Sequence, residues 1–140
     1  MDFLAKSTNL GNLEVVEIYV QYNGPRLLSC KNQANKIFLA LWVDEEEDSD
    51  LWLYMLVSPE RLQIIRTGQI SLNQAFADSE LNYLYELSFS YTDKRWSSKE
   101  VLVEEIDEDC FPSQDSFLNC EIKNLPQITS QRASWAAIEK

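Results

Sequence analysis

The run Lys36-Ile37-Phe38-Leu39-Ala40-Leu41-Trp42-Val43 leads into Asp44-Glu45-Glu46-Glu47-Asp48-Ser49-Asp50 and then into Leu51-Trp52-Leu53-Tyr54-Met55-Leu56-Val57. Two apolar runs flank one acidic tip. Each run has the length of a strand and is rich in aromatic and aliphatic residues, which favours a hairpin over a buried helix. Both are apolar at odd and even positions alike, the pattern of central strands covered on each side, or partly covered with the rest left for a partner.

On the N-terminal side, residues 13–22 alternate as a strand with one apolar face (Val16, Ile18, Val20) and one mixed face (Val15, Glu17, Tyr19). Asn23-Gly24-Pro25 marks a turn, since Asn and Gly accept positive φ and Pro cannot extend a hydrogen-bond ladder. Residues 26–30 return as a second strand, and 31–35 form a polar turn into the central hairpin. Residues 1–11 read as a short apolar patch and then a polar, turn-prone lead-in, Ser7-Thr8-Asn9-Leu10-Gly11, ahead of the fold.

After the hairpin the period changes. Ser58-Pro59-Glu60-Arg61 reads as a helix start, with Ser as N-cap, Pro at the first helical position and an acid in the first turn. Leu62 and Ile65 follow at helical spacing, and Gly68 is the expected C-terminal stop. Ser71-Leu72-Asn73-Gln74 begins a second short helix that ends near Asp78. Strict alternation returns over 82–91, with Tyr83, Tyr85, Leu87, Phe89 and Tyr91 on one face. After the turn Thr92-Asp93-Lys94-Arg95, Trp96 starts or flanks the return, and 99–106 supplies another strand. A further short strand is read at 117–122. The tail, 126–140, is read either as mobile, as terminal segments often are, or as docking through a helical turn at Trp135-Ala136-Ala137-Ile138.

These elements predict one α+β domain over residues 1–140, with its core at about 13–122. It is a single antiparallel sheet of about six strands, with two short helices inserted after the central hairpin and packed on one face. A chain of 140 residues with 45% hydrophobic and 11% aromatic residues is sufficient for one core. The aromatic rows are expected to fill the space beneath the helices.

The charge narrows the partners. Twelve Lys and Arg against 23 Asp and Glu give −11 at neutral pH, a field that repels phosphate backbones and anionic lipid. Neither nucleic acid nor a membrane is expected as partner, whereas a basic protein surface is. The N-terminus lacks the basic and apolar regions of a signal peptide, and no apolar run approaches the ~20 residues of a membrane span, so a cytoplasmic protein is expected. Cys30, Cys110 and Cys120 form no C-x-x-C pair and are expected as reduced thiols.

Catalysis is disfavoured by composition. The sequence contains no His, which removes His-based nucleophile systems, His metal sites and the usual base near neutral pH. With Gly only at 11, 24 and 68 there is no phosphate-cradling loop, and no cofactor is expected. Paired carboxylates from 44–50 or 104–109 remain as a competing enzymatic reading. The acidic tip lacks the calcium-loop spacing and its Gly, leaving weak divalent-cation binding as a further alternative. The residues expected to meet a partner are Asp44, Glu45, Glu46, Glu47, Asp48 and Asp50.

Tyr22-Asn23-Gly24-Pro25-Arg26-Leu27-Leu28-Ser29-Cys30, Leu41-Trp42-Val43-Asp44-Glu45, Ser58-Pro59-Glu60-Arg61-Leu62 and Ala75-Phe76 together resemble a family of small uncharacterised bacterial proteins, classed only as a domain of unknown function. The resemblance spans about residues 15–80. It implies a bacterial origin and transfers no activity, cofactor or catalytic residue. A non-catalytic interaction or regulatory module, such as an immunity-type or antitoxin-type inhibitor, is the functional expectation.

Overall fold

The central hairpin forms as its apolar runs predict. In the computed structural model, which describes residues 4–120, β3 (Ile37–Glu45) pairs antiparallel with β4 (Ser49–Val57), with Leu41 opposite Leu53 and Trp42 opposite Trp52. Around it lie β1 (Glu14–Gln21), β2 (Pro25–Lys31), β5 (Tyr83–Ser90) and β6 (Arg95–Leu102). The six strands are hydrogen-bonded in chain order, a pure antiparallel meander. The fold is therefore mostly β, with two short helices, α1 (Pro59–Arg66) and α2 (Leu72–Ala77).

Both faces of the hairpin are covered. On one side Leu39, Leu41, Leu53 and Met55 pack with Leu62 and Ile65 of α1 and Leu72, Ala75 and Phe76 of α2. On the other, Phe38, Ala40, Trp52 and Tyr54 pack with Leu28, Cys30, Leu87, Ala5 and Leu10. The N-terminal stretch is thus more than a lead-in to a fold that starts at residue 13. Ala5 and Leu10 are buried, the Ala5 N–H donates to the Tyr54 hydroxyl at 3.3 Å, and Asn32 Nδ2 donates to the Leu10 carbonyl at 2.8 Å. Sparse apolar residues among polar ones carry no period, so sequence alone does not reveal such a cover.

The helix punctuation behaves as read. Ser58 caps α1 by accepting from the Arg61 N–H at 3.1 Å, and Ser71 caps α2 through the Gln74 N–H at 3.0 Å. The Ser58 backbone N–H and hydroxyl also donate to the two Glu80 carboxylate oxygens, at 2.8 and 2.7 Å, joining the start of the helical segment to its exit. Gly68 lies just past α1 at φ +76°, and a Cβ there would sit 2.5 Å from the Leu118 carbonyl oxygen. Leu118 belongs to an irregular strap over the helices. The Leu72 N–H donates to the Ser116 carbonyl at 2.7 Å, and the Cys120 N–H to that of Arg66 at 2.8 Å.

Four expectations are corrected. The last strand begins at Arg95 and ends at Leu102, and residues 103–105 form a 3-10 turn where strand was expected to run to 106; Trp96, paired with Phe89, is therefore inside the ladder. Residues 117–120 form the strap and no strand, while residues 121–122 and the 126–140 segment lie outside the described residues. The Tyr83, Tyr85, Leu87, Phe89 row faces away from the helices: Leu84 supplies the helix-side core, and Tyr85 and Leu87 join the opposite cluster. Finally, β1 does not keep two faces. Register shifts at Val15/Glu17 and Ile18/Val20 break its alternation, so sequence neighbours Tyr19 and Val20 both enter the helix-side core.

Those shifts turn Glu17 inward. Its side chain and that of Arg66 are each 1% exposed, with Arg66 Nε 2.7 Å from Oε1 and Nη2 3.2 Å from Oε2, a bidentate pair between β1 and the last turn of α1. Arg66 Nη1 also donates to Gln63 Oε1 at 2.9 Å. Burial works to lower the guanidinium pKa, but the Glu17 bonds and charge outweigh it and the net shift is upward. Beside the pair, the Tyr19 hydroxyl donates to Ser29 Oγ at 3.0 Å.

Two outcomes are expected in urea unfolding. Glu17→Ala or Arg66→Ala, each leaving one buried charge unpaired, should lose about 3–5 kcal/mol, and the double change to Met clearly less than the sum. Gly68→Ala should cost more than the roughly 1 kcal/mol of left-handed strain, because the Leu118 carbonyl must also move. Gly24→Ala, at φ +109° with nothing within 4 Å of an added Cβ, should show the strain alone.

Candidate functional site

A meander sends alternate turns to the same end, so residues 22–24, 46–48 and 91–94 lie together at one end of the sheet. The acidic tip belongs there, but it is tighter than a seven-residue loop. Asp44 and Glu45 finish β3, Glu46, Glu47 and Asp48 form the turn, and Asp50 lies within β4. A register shift between Trp42 and Asp44 lets pairing continue to Glu45 opposite Asp50. The turn is closed by the Glu46 N–H donating to the Ser49 carbonyl at 2.7 Å and the Ser49 hydroxyl to Glu46 Oε1 at 3.1 Å. The Tyr91 N–H, from the next hairpin, donates to the Asp48 carbonyl at 2.9 Å.

The six carboxylates divide into two kinds. Asp44, Glu45, Glu46, Glu47 and Asp48 are exposed, and among the described residues none has a Lys or Arg within ion-pair distance. Asp50 is half-buried, and its Oδ1 accepts from Trp42 Nε1 at 3.2 Å and from the Tyr91 hydroxyl at 2.7 Å. Burial, then the Asp50 carboxylate, push the Tyr91 pKa up, so it remains a donor at neutral pH. Asp50 therefore braces the end of the sheet, joining β4 to the turn after β5.

Trp42 has a second partner. The Arg26 guanidinium carbon lies 4.1 Å from its ring centroid, while Nε and Nη2 donate to the carbonyls of Tyr22 at 2.7 Å and Asn23 at 3.2 Å. This cation closes its own turn and stacks on the indole. Sequence reading missed it, although Arg26 stands at the mirror position of Trp42 across a tight β2–β3 ladder that runs from Leu27 opposite Leu41.

A second acidic stretch follows the sheet. After β6 the chain turns back over the helix-side face, burying Ile106 and placing Asp107 as the cap of a 3-10 turn over Glu108–Cys110. Burial pushes the Cys110 thiol pKa up, followed by the charges of Asp107, Glu86, Asp109 and Asp44. Asp44 and the 107–109 stretch, far apart in sequence, thus act on one thiol. Lys99 bridges Glu86 at 3.3 Å beside them.

Chemically this is a surface of fixed negative charge. Among the described residues no three His, Cys, Asp or Glu side chains are grouped to hold a metal ion. Burial pushes Cys30 up to about 12 and, with Glu17, Cys120 up to about 11, so both are protonated thiols near neutral pH. No helix among the described residues is long and apolar enough to cross a membrane.

The chain belongs to a family of unknown function, DUF6575, whose model matches residues 1–134. The match extends well beyond the 15–80 region that carries the resemblance and takes in the C-terminal third. No curated protein and no solved structure matches the chain.

The shared field has a direct readout in alkylation of Cys110 at about pH 8, with the buried Cys30 and Cys120 reacting only on unfolding. A raised pKa leaves little thiolate, so removing a nearby negative charge should speed the reaction. Asp44→Asn should therefore accelerate Cys110 modification, with the gain shrinking in high salt. An unchanged rate would separate the two acidic stretches.

Proposed function

We propose that this chain is a non-catalytic interaction module that meets a basic protein partner through the acidic end of its sheet. The observation that supports this reading is the set of five exposed carboxylates from Asp44 to Asp48, without basic counter-charges among the described residues, on a turn held by rigid strands. Repulsion within such a cluster lowers stability slightly, and natural sequences keep costs of this kind where a partner supplies the missing charge. The Asp107 to Asp109 stretch adds negative charge around Cys110, where the charge of Asp44 is also felt. A partner presenting Lys or Arg is drawn in by this field, most strongly at low ionic strength.

Replacing Glu45, Glu46 and Glu47 with Gln and Asp48 with Asn, while leaving Asp50 intact, separates recognition from folding. Thermal stability should stay equal or rise by up to about 1 kcal/mol. Capture of basic proteins from a lysate of the source cells, identified by mass spectrometry, should weaken, with the largest loss below about 0.1 M salt. Identical recovery at every salt concentration would reduce the tip to a solubilising turn.

A further inference from the structure

We propose that β6 is a self-complementary edge through which two copies of this chain pair, strand against strand, into one continuous sheet. The sheet has two edges, β1 and β6, and they are built differently. β1 carries three register shifts along its pairing with β2, a distortion that discourages strand addition. β6 pairs with β5 from Ser90 opposite Arg95 to Tyr83 opposite Leu102 without a shift, and its sequence RWSSKEVL has neither Pro nor Gly. Among the described residues no strand lies on its outer side, leaving a straight row of backbone donors and acceptors. Lysine commonly defends such an edge, but Lys99 is bridged to Glu86 on the neighbouring strand at 3.3 Å.

The register argues for a second copy. A two-fold axis normal to the sheet keeps each face on its own side, so opposed residues must point to the same face and differ in number by an even count. Two such registers keep nearly all of β6 paired. One places Lys99 against Lys99 of the second copy on the axis, a like-charge pair that is destabilising. The other, centred on Ser98, opposes Ser97 to Lys99, Trp96 to Glu100 and Arg95 to Val101, with no like charges facing. Ser97 and Ser98 are small at the axis, where the two backbones come closest.

The test is sedimentation of the full chain from about 1 µM to about 1 mM, where a concentration-dependent species of twice the chain mass is expected. Ser97 is exposed, so Ser97→Lys leaves the fold intact, which circular dichroism checks, yet opposes like charges at two symmetry-related positions. It should weaken the dimer at least about tenfold, most at low salt. Ser97→Glu, at the same exposed position and opposite Ser88 within the chain, opposes Lys99 of the second copy and should strengthen the dimer instead. A chain that stays monomeric throughout, a dimer indifferent to Ser97→Lys, or one weakened by Ser97→Glu would each overturn the proposal.

Discussion

The buried pair of Glu17 and Arg66 is the constraint to which the rest of the architecture conforms. Two charges removed from water are tolerated only when they face each other in good geometry and their remaining donors and acceptors are engaged. Here the guanidinium is bound at two nitrogens by Glu17 and at a third by Gln63. That requirement fixes the position of β1 along β2, because a one-residue slip would carry Glu17 to the opposite face and strand Arg66 in the core. It also fixes α1 against the sheet, since Arg66 occupies the last turn and its own carbonyl accepts the Cys120 N–H. Edge strand, helix and strap thus meet at one ion pair.

From there the layers follow. The helices need a sheet face that is apolar across several strands, and Leu39, Leu41, Leu53 and Met55 provide it. The opposite face of the same strands is equally apolar, and the stretch around Ala5 and Leu10 covers part of it, with aromatic rows from Trp52, Tyr54 and Tyr85 carrying the remainder. Phe89 and Trp96, with ring centroids 5.2 Å apart, extend those rows toward the acidic end. The carboxylates and the aromatics are neighbours there, and Asp50 is where the two meet.

Much of this was legible in the residues and some was not, for definite reasons. Local signals were reliable where several coincide: Ser58-Pro59 and Ser71 cap the two helices, and Gly68 takes the left-handed state just past α1. The strand order of a meander also follows from short turns. Register shifts leave no mark in composition, so the faces of β1 and the inward turn of Glu17 could not be read from alternation. Arg66 falls on the buried stripe of α1 beside Leu62 and Ile65, yet a lone Arg at a helix C-terminus looks like an ordinary dipole partner. The tip was visible as a charge cluster, but the separate role of Asp50 depends on Trp42 and Tyr91, which only the paired strands bring to it. The link between Asp44 and the 107–109 stretch is tertiary in the same sense.

The strap over the helices carries a consequence for synthesis. A chain emerging from the ribosome in order can zip its hairpins one after another, because each strand pairs with its predecessor. The helical layer has no such freedom. The carbonyl that receives the Leu72 N–H is that of Ser116, and the N–H that reaches the Arg66 carbonyl is that of Cys120. Until those residues clear the exit tunnel, the nascent molecule holds a nearly complete sheet under an unfinished roof, with apolar strands covered on one side only in part. The interval between the sixth strand and the closing strap is therefore when this chain is most exposed to misassociation, and when a chaperone has most to protect.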